Sequence, residues 1–404
     1  MNAINGHPRV EMPRRPDWQW DHPPAPADRR PADPPAPRSS AWTWQDPATI
    51  PPRPWLYGHH LLRRQVSVTV APPGLGKSSL GIVEALAMAT GRRLLGEWNA
   101  GPVRVWLYNL EDPRDELDRR ITAAMLHHGI APDAIGDRLR VASGRDTPLC
   151  TAVQLRDGPT LLKPELAALE AEIRQHGIDV LVIDPFVSSH RVIENDNGAV
   201  DMVAKAWARL AERCDCAVEL VHHTSKAYGA AQSSEAARGG SALLGAARSG
   251  RVLNRMTEEE RQEAGVQDDP ATYFSITRDK ANLAPSGARV WRRMASVDLG
   301  QGDHVGVAEE WTWPDAFDGI GASDLLAVQQ ALDGKAARYS DQSGDRWAGV
   351  IVAETLGLTV ASDKRRIKRM IETWIKNGAL RKVLVKDEKR DARPCLEVGE
   401  WASL

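Results

Sequence analysis

Two kinds of apolar pattern alternate along the chain. Short runs rich in β-branched residues occur at 66–71 (Val-Ser-Val-Thr-Val-Ala), 103–110, 179–184 and 216–221; each is too short for a helix and predicts a strand. The run Val180-Leu181-Val182-Ile183 is apolar throughout, the composition of a sheet covered on both faces. Between the runs, apolar residues recur at helical spacing: an Ala/Leu/Met-rich segment reaching residue 90, then 115–128, 164–176 and 199–213. Segment 164–176 sets Leu166, Leu169 and Ile173 on one side, with Pro164 in its first turn and Gly177 as its stop. Two more strands follow, at 271–277 and up to Trp291-Arg292-Arg293. The alternation predicts an α/β fold with a mostly parallel sheet over residues 49–318.

The pattern changes at both ends. Residues 1–48 carry the proline runs Pro23-Pro24-Ala25-Pro26 and Pro34-Pro35-Ala36-Pro37, with too little apolar surface to offset ordering. That predicts a disordered or polyproline-like tail. Trp18/Trp20 and Trp42/Trp44 break its polarity; such pairs anchor a protein partner, or the second pair packs on the domain that follows. Residues 319–404 read as helix (324–332), helix (347–356), helix (362–377) and strand–turn–strand (380–398), the order of a small winged-helix α+β domain.

The first strand runs into Ala71-Pro72-Pro73-Gly74-Leu75-Gly76-Lys77-Ser78-Ser79 and then a helix, the context a P-loop requires. Gly74 and Gly76 allow positive φ, so in the loop from Pro73 to Ser79 the successive backbone N–H groups from Gly74 onwards can turn inward around phosphate oxygens. Lys77 would lie between the β- and γ-phosphates of ATP, and the Ser78 hydroxyl would ligate Mg²⁺. Ala71 stands where the pattern has its first glycine, a position that needs a small residue more than a positive φ. Glu111 follows the second strand and is placed to polarise an attacking water, although a helix-capping role suits it as well. Asp184 ends the third strand as a Walker B carboxylate for the same Mg²⁺. The last strand ends in His222-His223-Thr224-Ser225-Lys226, where a polar group can contact the γ-phosphate. Adjacent histidines on a strand face opposite ways, which makes them a poor metal pair. The lead-in at 50–62 offers Arg53, Trp55 or Tyr57 to adenine, or Trp55 to the core.

In order, Gly-Leu-Gly-Lys-Ser-Ser, Asn-Leu-Glu-Asp-Pro, Leu-Val-Ile-Asp-Pro, Leu-Val-His-His-Thr-Ser-Lys-Ala, Arg-Gly-Gly-Ser-Ala-Leu-Leu-Gly-Ala-Ala-Arg and Asp-Lys-Ala-Asn-Leu-Ala-Pro-Ser-Gly resemble the RepA-type hexameric replicative helicases of plasmids, within the RecA/DnaB-like P-loop ATPases, over residues 50–294. The resemblance implies a RecA-like core in which Glu111 activates water, Asp184 handles the metal and His222 couples hydrolysis to movement. It also implies that Arg248 is an arginine finger reaching into the neighbouring subunit's site, with Lys280 as a second cation acting there and Arg238 a less favoured finger. A ring follows from a finger supplied in trans, hexameric by the same likeness. Loops at 191–198, with Arg191, and 226–238, with Lys226 and Arg238, would hold single-stranded DNA at its centre. The implied activity is that of an ATP-driven DNA helicase or translocase of plasmid or phage replication. An ATP-switched DNA-binding initiator or regulator, and a RecA-like recombination mediator, remain open.

Net charge is −2, so a polyanion must be met by local basic patches. One lies between 362 and 393, with twelve Lys/Arg against five Asp/Glu. In its helix Ile367, Met370, Ile371, Trp374 and Ile375 form an apolar stripe, Arg365 and Arg369 lie opposite and Lys368 beside it. This suits duplex DNA, with the helix in the major groove and 386–393 as the wing, or else a protein contact. The four cysteines, at 150, 214, 216 and 395, show no metal-ligand spacing and read as reduced thiols. With no leader and no bilayer-length apolar run in this sequence, the expected setting is cytoplasmic, with no membrane partner.

Overall fold

The computed structural model describes residues 39–223, 240–284, 287–300, 302–386 and 391–403. The expected disorder of the first 38 residues, with Trp18 and Trp20, lies outside them. The chain divides between Pro52 and Arg53 into two units. In the described part of the first, Asp46 caps a single 3-10 turn (Pro47–Thr49), and Trp42 and Trp44 are exposed.

The second unit opens with a small hairpin, β1 (Trp55–Tyr57) and β2 (Leu61–Leu62). It continues through β3 (Val66–Ala71), α1 (Lys77–Thr90), β4 (Val105–Asn109), α2 (Arg114–His127) and β5 (Leu139–Ser143). A hairpin of β6 (Ala152–Leu155) and β7 (Gly158–Leu161) precedes α3 (Lys163–His176), β8 (Val180–Asp184), α4 (Asn197–Cys214) and β9 (Ala217–His223). Then come α5 (Gly240–Ala246), β10 (Ser249–Arg255), α6 (Glu258–Ala264), β11 (Tyr273–Ala281), β12 (Val290–Asp298) and β13 (His304–Trp311). Nine strands form one sheet in the order β13-β12-β11-β10-β3-β9-β8-β4-β5. The six from β10 to β5 run parallel and β11 to β13 extend them antiparallel, so the core is the expected α/β fold with a mostly parallel sheet.

Strand parity decides which side chains meet which helices. Val68, Val70, Leu181, Ile183, Leu220 and Val252 face α4, where Trp207 is fully buried. Leu107, Val182, Val221 and Leu253 face α1, whose Val83 and Leu86 are fully buried. Truncating Trp207 or Leu86 to alanine costs about 2–5 kcal/mol, because the sheet cannot collapse into the void.

The edge strands are the part the apolar pattern does not announce. β5 is half-buried along most of its length and β13 alternates exposed and buried residues over its first half, since each has a partner strand on one side only. The C-terminal elements are α7 (Ala322–Leu332), α8 (Ala348–Leu356), α9 (Val360–Lys376) and the antiparallel pair β14 (Leu380–Lys386) and β15 (Ala392–Val398). They enclose a core of their own around Trp347, Ile367, Met370, Ile371, Trp374 and Leu396, yet belong to the same compact unit as the sheet.

On the α4 face, His190 follows a 3-10 turn (Phe186–Ser189), with its ring edge-on to Phe186 at 4.7 Å and beside His222. Burial, then the neighbouring His222, pushes its pKa down to about 4 from 6.5. Native protein therefore keeps this ring neutral while the unfolded chain takes up a proton below pH 6.5, so stability is full above 6.5 and is lost as pH falls towards 4. At pH 5 the loss is about 2 kcal/mol. Unfolding free energies from urea titrations should fall by that amount between pH 7 and pH 5 in the wild type and by clearly less in His190→Leu; an identical drop in both would refute the assignment.

Candidate active site

β3 delivers a fully buried Ala71 to the loop, and Gly74 and Gly76 both take positive φ, 69° and 85°. Ala71 is itself still strand, which is why the position tolerates a side chain. Gly76 caps α1 without a side-chain hydrogen bond, leaving the first amides of the helix available to an anion. A Cβ there would also strike the Met294 sulfur at 2.8 Å. Pro73 is exposed on the loop, whereas the Leu75 side chain is buried in the α1 core, so only its backbone faces the loop. Ser79 turns away: its Oγ accepts from the Ala308 amide of β13 at 2.9 Å and anchors the loop instead of lining it.

Lys77 and Asp184 are both nearly buried. Ser78 Oγ donates to Asp184 Oδ2 at 2.8 Å, joining the first turn of α1 to the tip of β8. Burial pushes the Asp184 carboxyl above the usual range, opposed by the Ser78 bond and by Lys77; burial likewise lowers Lys77, opposed by Asp184 and Glu111. A hydroxyl and a carboxylate side by side at a phosphate loop form the hard oxygen set that Mg²⁺ takes, so the residues present suit that ion.

Asn109, the last residue of β4, accepts the amides of Glu111 at 2.9 Å and Asp112 at 2.7 Å through Oδ1 and so fixes the turn beyond the strand. Asp112 is pinned by Arg120 at 2.9 Å. Glu111 is exposed, close enough to Lys77 and Asp184 to affect their charge, and has no ion-pair partner among the described residues.

At the tip of β9 the ring against Lys77 belongs to His223, its Nδ1 3.1 Å from Nζ. An ammonium has only donors, so Nδ1 accepts and the neutral ring carries its proton on Nε2. Burial, then Lys77, lowers the pKa of this histidine. His222 instead faces the α4 side beside Phe186, at 6.3 Å between ring centroids, because consecutive strand residues point to opposite faces. His222, expected to couple hydrolysis to movement, thus lies on the α4 face, and the histidine beside Lys77 is its neighbour His223. Tyr57 is likewise buried among Glu84, Glu97 and Arg292 and does not face the loop.

Sequence reading overlooked Arg255. β10 runs parallel to β3, so its C-terminal end arrives beside the loop, and Arg255 Nη2 donates to the Gly74 carbonyl at 2.9 Å. The side chain is exposed and has no carboxylate partner among the described residues. Recognising 249–255 as a strand parallel to β3 was the signal needed.

Arg248 lies at the other end of β10. Its amide bonds the Val66 carbonyl, at the start of β3, which puts it about 20 Å from the loop at ~3.3 Å per residue. Its side chain is exposed. Lys280 stands beside it and donates to the last carbonyls of α5, Leu244 and Gly245, the latter at 3.0 Å; burial, then Arg248, lowers its pKa. Of the residues expected on single-stranded DNA, Arg191 is exposed and its backbone bridges to Val153 of β6, while Lys226 and Arg238 lie outside the described residues. Arg365 bonds the Gln262 side chain of α6, Lys368 bonds Asp341 at 3.3 Å, and Arg369 is half-buried.

Residues 31–229 match the AAA domain family. The AAA match takes in the phosphate loop, Glu111, Asp184 and both histidines, and it ends before Arg248, Arg255, Lys280 and the C-terminal helices. The solved structure of a DnaB-like replicative helicase, described with its interactions with primase, is similar at 15% identity and a TM-score of 0.43, over 60% of this chain and 59% of that one. This chain thus spans about three fifths of that helicase's length.

Arg255→Ala should weaken ATP-analogue binding about tenfold, the ~1.4 kcal/mol typical of a charge-assisted hydrogen bond, and Arg255→Lys less. Titration with a fluorescent nucleotide measures it; unchanged affinity would show that the guanidinium only decorates the loop.

Proposed function

We propose that the chain is an Mg²⁺-dependent ATPase that assembles into a ring, a hexamer by its RepA-type resemblance, and moves on single-stranded DNA as a helicase or translocase of plasmid or phage replication. One observation carries this reading: Lys77, Ser78, Asp184 and Glu111 gather at one edge of the sheet, while the exposed Arg248 stands about 20 Å away at the other. A single chain therefore holds two halves of a site that face apart, and a second copy supplies the complement.

In this reaction Lys77 and the loop amides hold the β- and γ-phosphates, and Glu111 accepts the proton of the water that attacks the γ-phosphorus as its bond to ADP oxygen breaks. Ser78 and Asp184 would hold Mg²⁺, which neutralises charge on the phosphate oxygens. His223 reads the γ-phosphate through Lys77. Arg248 of the adjoining copy stabilises charge in the transition state, and Lys280 assists once released from the α5 carbonyls.

The basic face of α9 suits duplex DNA in a winged-helix-like domain spanning 319–404, with Arg365 and Lys368 exchanging their present partners for phosphates and Arg369 beside them. Exposed Trp42 and Trp44 suit a protein partner. The setting is cytoplasmic.

Purified protein should hydrolyse ATP in the presence of Mg²⁺, faster with single-stranded DNA, and unwind a forked duplex. Lys77→Ala abolishes turnover, whereas Arg248→Ala and Glu111→Ala, each inactive alone, regain activity when mixed. Stimulation without unwinding would favour a recombination mediator, and hydrolysis indifferent to DNA an ATP-switched regulator.

A further inference from the structure

On the α1 face, midway between the two edges of the sheet, a connected group of charged and polar side chains is buried. Arg251 of β10 donates from both terminal nitrogens to Glu84 of α1, at 2.6 Å each, and from Nε to Thr69 Oγ1 of β3 at 2.7 Å. Thr69 donates in turn to Glu219 of β9. Glu219 meets His60, beside β2, at 3.0 Å, and the other ring nitrogen of His60 lies 2.8 Å from Ser249 Oγ. All six residues are buried. Burial opposes the charge on Glu219, but His60 and Arg251 outweigh it and hold the carboxyl below its usual range.

Each element joined by this chain of bonds ends in a residue of the proposed reaction. α1 begins with Lys77 and Ser78, β3 runs into the phosphate loop, β9 ends in His223, and Ser249 is the residue after Arg248. A buried ion pair of this kind rarely stabilises a fold more than apolar residues of the same size, so stability alone does not account for it. Its geometry is specific: a bidentate pair fixes distance and angle at once, which an apolar contact does not.

We propose that this network is a positioning device, in which Arg251 and Glu84 hold α1 and β10 as one body so that Lys77 in a chain's own site and Arg248 in its neighbour's site move together. The inference rests on the ATPase reading above. Arg251, Glu84, Glu219 and His60 touch no substrate and act through the elements they tie.

The test replaces the pair by apolar residues of similar length, Glu84→Met with Arg251→Met, in the full chain. The double variant should bind a fluorescent ATP analogue within about threefold of wild type, while its DNA-stimulated kcat falls tenfold or more, and Glu84→Gln, which keeps one acceptor oxygen, should lie between. Turnover within about twofold of wild type, or affinity and turnover falling in parallel, would overturn the proposal. If the double variant does not fold, Ser249→Ala cuts the network at its far end and should lower kcat without lowering affinity; an unchanged kcat then overturns it. A wild type with no ATPase defeats the ATPase reading itself, a different result from wild type and variant being equally active.

Discussion

A parallel strand has two ends, and β10 puts an arginine at each. Paired in register with β3, it brings Arg255 to the phosphate loop and leaves Arg248 at the start of the sheet, next to Lys280. The rigidity of a sheet buried on both faces makes this separation permanent: no rotamer carries Arg248 across the length of β3 to Lys77. The proposed ring depends on whether a second copy brings its own Arg248 to the phosphate loop.

Parity explains much of what the sequence revealed and what it withheld. The strands buried on both faces, β3, β8 and β9, and the loop between Ala71 and Ser79 stand out because their patterns are local. Choosing between His222 and His223 required knowing which face of β9 looks towards α1, and that is set by pairing with β3 and β8, not by the residues alone. β10 was hidden because Arg251, Asn254 and Arg255 interrupt it with polar residues; the partners of the two arginines, Glu84, Thr69 and Gly74, lie more than 160 positions earlier in the chain. In retrospect the alternation Val66-Ser67-Val68-Thr69-Val70 was a cue, since a strand covered on both faces seldom carries hydroxyls on one of them.

The C-terminal elements follow the expected order of three helices and a two-stranded hairpin, and the apolar stripe of α9 is buried as its spacing requires. What spacing did not indicate is how its basic side chains are engaged. Arg365 meets the Gln262 side chain of α6, Arg366 donates to the Ala316 carbonyl at 2.9 Å, and Lys364 and Lys368 share Asp341, each at 3.3 Å. A helix that reads as a free polyanion surface in one dimension is here part of an internal charge network, and any polyanion has to compete with it.

The most direct measurement is an electron-microscopy structure of the full chain with Mg²⁺ and a non-hydrolysable ATP analogue. The account predicts a closed assembly with Arg248 of each copy within contact distance of the γ-phosphate held by Lys77 of the next. A nucleotide-bound monomer, or an assembly in which Arg248 faces solvent and the phosphate is enclosed by its own chain alone, would contradict it.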